Sequence, residues 1–311
     1  MPEPTPARRP ALRAAAPVPP NARGPEVPDD PGYVVQEIAP GVHWISDGVY
    51  QTMFVVTDDG VIAIDAPPTL GQRYVDAIAA VTHLPVTHVV YTHAHFDHSG
   101  AAHLFPPDAE YVAHTDTAAL LARDADPARP LPTLTFDASH VLAVGGQQLD
   151  LDYHGVVHTP GSLFVHAPEH RVLMLVDVVF PGWVPFKNFG ESKDLPALVG
   201  AHDRALAYDF STLVAGHVGR LGTQDDVVEA RAYLDDLRDS CARAIEAIRL
   251  EDYAAALGRG NPWHLYDAYL DGLVDHVTED VVPRWVDRLG GADVFTDDNA
   301  YIVLQSLRLD R

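Results

Sequence analysis

From Tyr33 onward the chain is built of short apolar runs separated by turn residues. "GVHWISD" and "QTMFVVTDDGVIAID" carry β-rich runs, the second split by Asp58-Asp59-Gly60, a hairpin turn signal. Behind Asp65 and two prolines, Tyr74, Val75, Ile78 and Val81 recur at helical spacing in "GQRYVDAIAAVTH". "PVTHVVYTH" then reads as a buried strand and "SGAAHLF" as a short helix. "AEYVAH" and "DTAALLARD" repeat the strand–helix alternation. After a Pro-rich connection, "HVLAVGG", "QQLDLDYHGVVH" and "SLFVHAPEHRVLMLVDVVF" supply more strands. "DLPALVGAHDRALAYD" reads as a helix, and "STLVAGHVG" as a strand running into a loop. Two successive blocks of strands with helices attached predict an α/β sandwich, helices covering two packed sheets.

Beyond Gly222 the strand pattern stops. Thr223 is a candidate N-cap with Asp226 three residues on, and Val227, Ala230, Leu234, Leu237, Cys241, Ile245 and Ile248 form an apolar helical stripe. A continuous helix over 224–257 would be about 50 Å long, so a break, or a subunit interface, is expected there. Gly258, Gly260 and Pro262 separate it from a second helical region. The predicted organisation is a Pro/Ala/Arg-rich disordered tail over 1–32, a catalytic sandwich over 33–222 and a helical C-terminal extension over 223–311. The C-terminal stripes also offer a homodimer surface.

Charge narrows the partners. The formal net charge is -23, and Lys187 and Lys193 are the only lysines. Such a surface repels phosphate backbones and anionic lipid, so the expected partner is a small molecule rather than nucleic acid or a membrane. No apolar run approaches the roughly 18–20 residues of a bilayer span. The N-terminal residues lack the apolar segment of a secretory signal. Cys241 is the only cysteine, which excludes an intrachain disulfide and fits a reducing compartment. A cytoplasmic protein is the expectation, with Cys241 a core residue on the helical stripe.

The candidate chemistry lies in "VVYTHAHFDHSGAA". His93, His95, Asp97 and His98 fall within six positions directly after an apolar run. His93 and His95 are two apart on an extended segment, so their side chains leave one face and can converge on an ion. Asp97 and His98 sit where the chain turns into a helix, placed for a neighbouring ion. Downstream, His158, Asp177 and His217 each follow an apolar strand, and Asp177 is a charge in a buried context that demands a counter-charge. Imidazole and carboxylate are ligands for zinc and other first-row metals.

With these residues in view, the chain resembles the metallo-β-lactamase superfold, a four-layer αββα sandwich, over roughly 33–222. Within that superfold it is similar to hydrolases with a full dinuclear set, such as glyoxalase II and the lactonases. The resemblance implies His93, His95 and His158 as ligands of a first metal, and Asp97, His98 and His217 as ligands of a second. It implies Asp177 as the bridge between them, and Asp65, at the end of "GVIAID", as a residue that orients a ligand. Two divalent ions are implied, zinc first, with iron or manganese as alternatives. The implied activity is hydrolysis of an ester, lactone, thioester or amide by a metal-bridging hydroxide, with Asp97 also orienting the nucleophile.

Departures within the superfold limit the substrate. Lactamases proper do not use the bridging Asp, and no basic cluster of the kind glyoxalase II uses for glutathione is evident. The rival readings are an iron-dependent oxidoreductase or oxygenase on the same fold, and a non-catalytic metal-binding module. Trp183, Phe186 and Phe189, just after Asp177, are candidates for an apolar substrate wall, with Tyr50, Met53 and Trp44 behind them. His154, four residues before His158, reads as a strand or supporting residue rather than an eighth ligand.

Overall fold

The computed structural model describes residues 14–309. The first block of apolar runs forms one sheet whose strands lie in sequence order. These are β1 (Val34–Ala39), β2 (Val42–Ser46), β3 (Gln51–Val56), β4 (Val61–Ile64), β5 (Val86–Val90), β6 (Glu110–His114) and β7 (Leu134–Phe136). Pairing is antiparallel up to β4 and parallel thereafter. The parallel pairs need crossovers, supplied by α1 (Gln72–Val81), α2 (Phe96–Ser99) and α3 (Thr115–Asp124).

The second sheet holds β8 (Ser139–Val144), β9 (Gln147–Tyr153), β10 (Leu163–Ala167), β11 (Val172–Leu175) and β12 (Thr212–Val214), in the spatial order β12-β11-β10-β9-β8. Only β11 and β12 are parallel, joined through α4 (Lys187–Glu191) and α5 (Leu195–Ala205). α4 is a single turn in which Asn188, Phe189 and Gly190 take left-handed dihedrals.

Both faces of each sheet are covered. Phe54, Tyr74 and Tyr111 pack between the first sheet and α1–α3, while Met53, Ile62, Leu149 and Met174 fill the space between the sheets. The outer face of the second sheet packs Phe164 and Leu213 against α5 and the C-terminal helices. The layers are therefore αββα, as expected. β2, β4, β10 and β11 are buried along their whole length, so covered faces leave little alternation to see there.

The helical region comprises α6 (Gln224–Ala247), α7 (Leu250–Leu257), α8 (Pro262–Trp285) and α9 (Ala292–Leu309). α6 opens with a capping box between Thr223 and Asp226, and the expected long helix breaks at Ile248, which is extended. The α6 stripe is buried within the chain itself, Leu237 and Cys241 against Leu273 and Leu304. Among the described residues, no helix is long and apolar enough to cross a membrane.

Three sequence expectations are corrected. The Pro-rich connection hides β7, and "SGAAHLF" is a 3-10 turn at Ala102–Leu104 beside α2 rather than one helix. Residues 1–13 of the expected disordered tail lie outside the described residues. Residues 14–32 are seated on the body of the protein, with Ala22 buried. The Asn21 amide donates to the Arg288 carbonyl, and the Trp183 indole N–H donates to the Ala22 carbonyl.

Candidate metal centre

The C-terminal ends of β4, β5, β11 and β12 all open on one edge of the sandwich. β5 stops at Val90, and the chain then carries His93 and His95 into α2, where His95 is the N-cap and Asp97 and His98 occupy the single turn. His158 comes from the β9–β10 loop, Asp177 from just beyond β11 and His217 from just beyond β12. The seven residues predicted as ligands are brought together. The facing atoms of His93, His95, His158 and Asp177 form one group, and those of Asp97, His98 and His217 a second, each within 4.8 Å.

Donors arranged tetrahedrally about an ion at about 2.1 Å stand roughly 3.4 Å from one another. In the first group, Asp177 Oδ2 is 3.4 Å from His93 Nε2 and 3.3 Å from His158 Nε2. His158 Nε2 is 3.1 Å from His95 Nδ1. In the second, Asp97 Oδ2 is 3.6 Å from both His98 Nε2 and His217 Nε2, which are 3.0 Å from each other. Asp177 belongs to both: Oδ2 is also 3.3 Å from His98 Nε2, and Oδ1 is 3.2 Å from His217 Nε2. His93 Nε2 and Asp177 Oδ1 are buried without a well-formed hydrogen bond. Facing imidazole nitrogens at these separations need a shared proton or a cation between them, so the donor set fits two divalent ions.

The electrostatics are those of a buried cluster. Burial lowers His93 to about 4 and His158 well below the usual histidine range, so both rings are neutral near pH 7, as ligation requires. Burial opposes charge at Asp177 and at His98, but their mutual attraction wins. Asp177 is held well below the usual carboxylate range, and His98 is pushed up to about 9.

Asp65 is fully buried, and desolvation pushes it up to about 7 against the pull of His98 and Thr92. Its Oδ1 accepts from the Thr92 backbone N–H at 2.8 Å and its Oδ2 from the Thr92 hydroxyl at 2.7 Å. With its proton committed to Asp65, the Thr92 oxygen can only accept from His93 Nδ1, 3.0 Å away. That puts the His93 proton on Nδ1 and leaves the Nε2 lone pair facing the cluster. Asp65 thus reaches His93 only through Thr92, which sequence reasoning missed although it adjoins His93.

Backbone strain is concentrated here. Asp65, Asp177 and Val218 all have positive φ, at 54°, 60° and 56°. The Gln51 amide holds the last of these loops, donating to the carbonyls of His217, Val218 and Arg220 while Trp44 Nε1 donates to its oxygen. Gly216 is required by space, because a side chain there would fall 2.6 Å from His98 Cε1.

A cavity of about 560 Å³ opens on the cluster, reaching His95, Asp97, Asp177 and His217. The Tyr50 hydroxyl donates to Asp97 Oδ2 at 3.2 Å, at the cavity's inner end. Of the expected wall residues, Trp183, Phe186 and Tyr50 line it. Phe189 does not: it is buried against α9, where its backbone N–H donates to Asn299 Oδ1. Met53 and Trp44 are also corrected, since both point into the space between the sheets. Phe295 of α9 completes the wall, edge-on to Phe186 at 4.9 Å. His154 lies elsewhere, 2.8 Å from the Tyr208 hydroxyl. Cys241 is in the helical core, its thiol pushed up to about 12 by burial.

The metallo-beta-lactamase superfamily matches residues 45–240. The alpha subunit of 2,4-dinitroanisole O-demethylase from Nocardioides sp. (strain JS1661) is 30% identical over 225 residues, 71% of this chain and 67% of that one. A metallo-beta-lactamase from Pontibacter korlensis has a similar structure, with a TM-score of 0.56 at 24% identity over 64% of this chain and 97% of the other. The stereoselective inverting sec-alkylsulfatase Pisa1 from Pseudomonas sp. gives 0.63 at 16% identity, over 87% of this chain and 49% of the sulfatase. That share exceeds the sandwich alone, so the common fold takes in part of the helical region. With the match spanning more than half of its length, the chain belongs to the metallo-β-lactamase superfamily.

Proposed function

We propose that the protein is a metal-dependent hydrolase of a small molecule, cleaving an ester, lactone, thioester or amide bond. His93, His95 and His158 would hold one ion and Asp97, His98 and His217 the other, with Asp177 within reach of both groups. The observation that carries the reading is the position of Asp177 Oδ2, within 3.4 Å of His93, His158 and His98 at once. Divalent ions at such a pair lower the pKa of water towards neutrality and polarise the bond to be broken. With nitrogen and oxygen donors only, zinc is the first candidate, ahead of iron and manganese.

The chain's own groups do the rest. Buried, neutral His93 and His158 stay available as ligands, and Thr92 keeps the His93 proton off the ligating nitrogen. Ionised Asp177 offsets the repulsion between two cations. The Asp97 side chain is 44% exposed, so it reaches both the cluster and the cavity and can orient a water or hold its proton. Tyr50 fixes one Asp97 oxygen from the substrate side.

A second reading, an iron-dependent oxidoreductase, draws on the relative named as an O-demethylase, because a methyl group can leave an aryl ether through water or through oxygen. Elemental analysis of protein prepared without added metal, beside lactone, ester, thioester, amide and aryl methyl ether substrates, separates the two. The expected result is close to two ions per chain and hydrolysis without oxygen uptake; iron with oxygen consumption selects the second reading. Asp177→Ala is expected to lose metal and at least about 10²-fold in kcat/KM, with His154→Ala unaffected. Saturation below one ion per chain, or near-native turnover and full occupancy in Asp177→Ala, overturns the dinuclear model.

A further inference from the structure

The cavity has two chemically different ends. The inner end is the cluster itself. The outer part is walled by Phe96, Phe180, Trp183, Phe186 and Phe295, from three separate stretches of chain. At about 560 Å³ it falls within the roughly 300–1,000 Å³ of a small-molecule site. Phe186 is 55% exposed and Phe96 53%, large aromatic surfaces left facing solvent at the mouth. The protein holds Phe186 there deliberately: it follows the Gly182–Val184 segment, which is stitched to Gly290, and it abuts Phe295 of α9. Exposed apolar surface around a cavity marks a binding face.

Among the described residues no lysine or arginine lines this part, and the single charged one beyond the cluster is Glu191. Lys187 is outside it, 3.3 Å from Asp298. Arg129 lies behind the Phe96 ring, committed to Asp124, Asp126 and the Ala94 carbonyl. Lys193 is exposed, and its charge is felt at His95, but it does not line the cavity. An anionic group at the outer end of a substrate would thus meet Glu191 and aromatic faces with no cation to pair with.

Resting on the hydrolytic reading for the reacting end, we infer that the rest of the substrate is an uncharged, planar, apolar group. An aromatic ring is held against Trp183 and Phe180 under the Phe186–Phe295 pair. Rings stack offset or edge-on against such walls, which selects flat groups over branched aliphatic ones.

Two measurements test this separately from turnover. The first is binding of 2-acetylnaphthalene, a neutral ketone that cannot be hydrolysed, followed by ligand-observed NMR on metal-loaded and metal-free protein. Saturable binding is expected in both forms. Phe186→Ala and Phe295→Leu should each weaken it by about fivefold or more, with metal content unchanged. The second compares kcat/KM for 4-carboxamidophenyl acetate and 4-carboxyphenyl acetate, which differ at the end away from the ester. The neutral ester should be preferred by at least about tenfold. Absence of saturable naphthalene binding, binding unchanged in both variants, or preference for the carboxylate that disappears in Lys193→Ala each overturns the inference. If neither ester turns over while the ketone binds as expected, ester hydrolysis is excluded and the apolar site stands.

Discussion

Thr92→Val tests whether the His93 tautomer is set by the Asp65–Thr92 pair. The substitution keeps the branched shape and removes one hydroxyl that serves two fully buried neighbours. Asp65 Oδ2 loses its 2.7 Å donor and His93 Nδ1 its 3.0 Å acceptor, while the backbone bond from Thr92 N–H to Asp65 survives. A buried polar group left unpaired costs about 1–3 kcal/mol, so the metal-free protein should lose about 2–5 kcal/mol. The His93 ring, no longer told which nitrogen to protonate, spends part of its time with the proton on Nε2, where it cannot ligate. Loss of an orienting partner behind a ligand costs about 10–100-fold in metal affinity. Urea unfolding of the metal-free protein and competition for zinc against a chromophoric chelator measure the two effects. Thr92→Ser, which restores the oxygen, should recover most of both. If Thr92→Val keeps native zinc affinity and loses less than about 0.5 kcal/mol, the relay from Asp65 to His93 does not operate.

Two further outcomes follow from buried groups outside the cluster. His202 on α5 is fully buried and lowered to about 4 by desolvation, so its contribution to stability is full above the ordinary 6.5 and lost as the pH falls towards 4. Over that window it accounts for about 3 kcal/mol of acid sensitivity; urea midpoints of metal-free His202→Gln should fall less steeply than those of the parent, and parallel slopes refute the assignment. Asn299 donates to the Pro185 carbonyl and accepts from Phe189 N–H, both at 2.9 Å, clamping the left-handed turn of α4. Asn299→Ala should raise KM and speed hydrogen exchange over residues 186–191 at constant metal content; unchanged exchange there shows that the turn holds itself.

Much of the candidate site was legible because its residues end or follow apolar runs. His93, His95, Asp97 and His98 are local in sequence, and His158, Asp177 and His217 stand out as polar residues after buried strands. What sequence could not display depends on long-range register. Gln51 looks like any polar residue at a strand start, yet it faces three carbonyls of a loop some 166 residues away. Trp44 and Met53 looked available to substrate because strands buried on both faces carry no marker of which side is the core. Phe189 sits three residues from Phe186 and turns the opposite way, since left-handed dihedrals in α4 reverse the chain. The segment 14–32 has the composition of a linker, but prolines that restrict the chain also lower the entropy lost when it packs, and its contacts with Asp293, Arg288 and Trp183 are all far away in sequence.

One part of the cavity wall, Phe295 on α9, has a different address in the gene from the cluster. Every residue of the cluster falls within 45–240, the stretch matched by the superfamily, as do Phe96, Phe180, Trp183 and Phe186, whereas Phe295 and the Asn299 that clamps the α4 turn lie beyond it. Substitutions in the C-terminal stretch can therefore reshape the mouth of the cavity while leaving the cluster untouched. Kinship judged from the histidines alone is silent on what the outer end of the cavity admits.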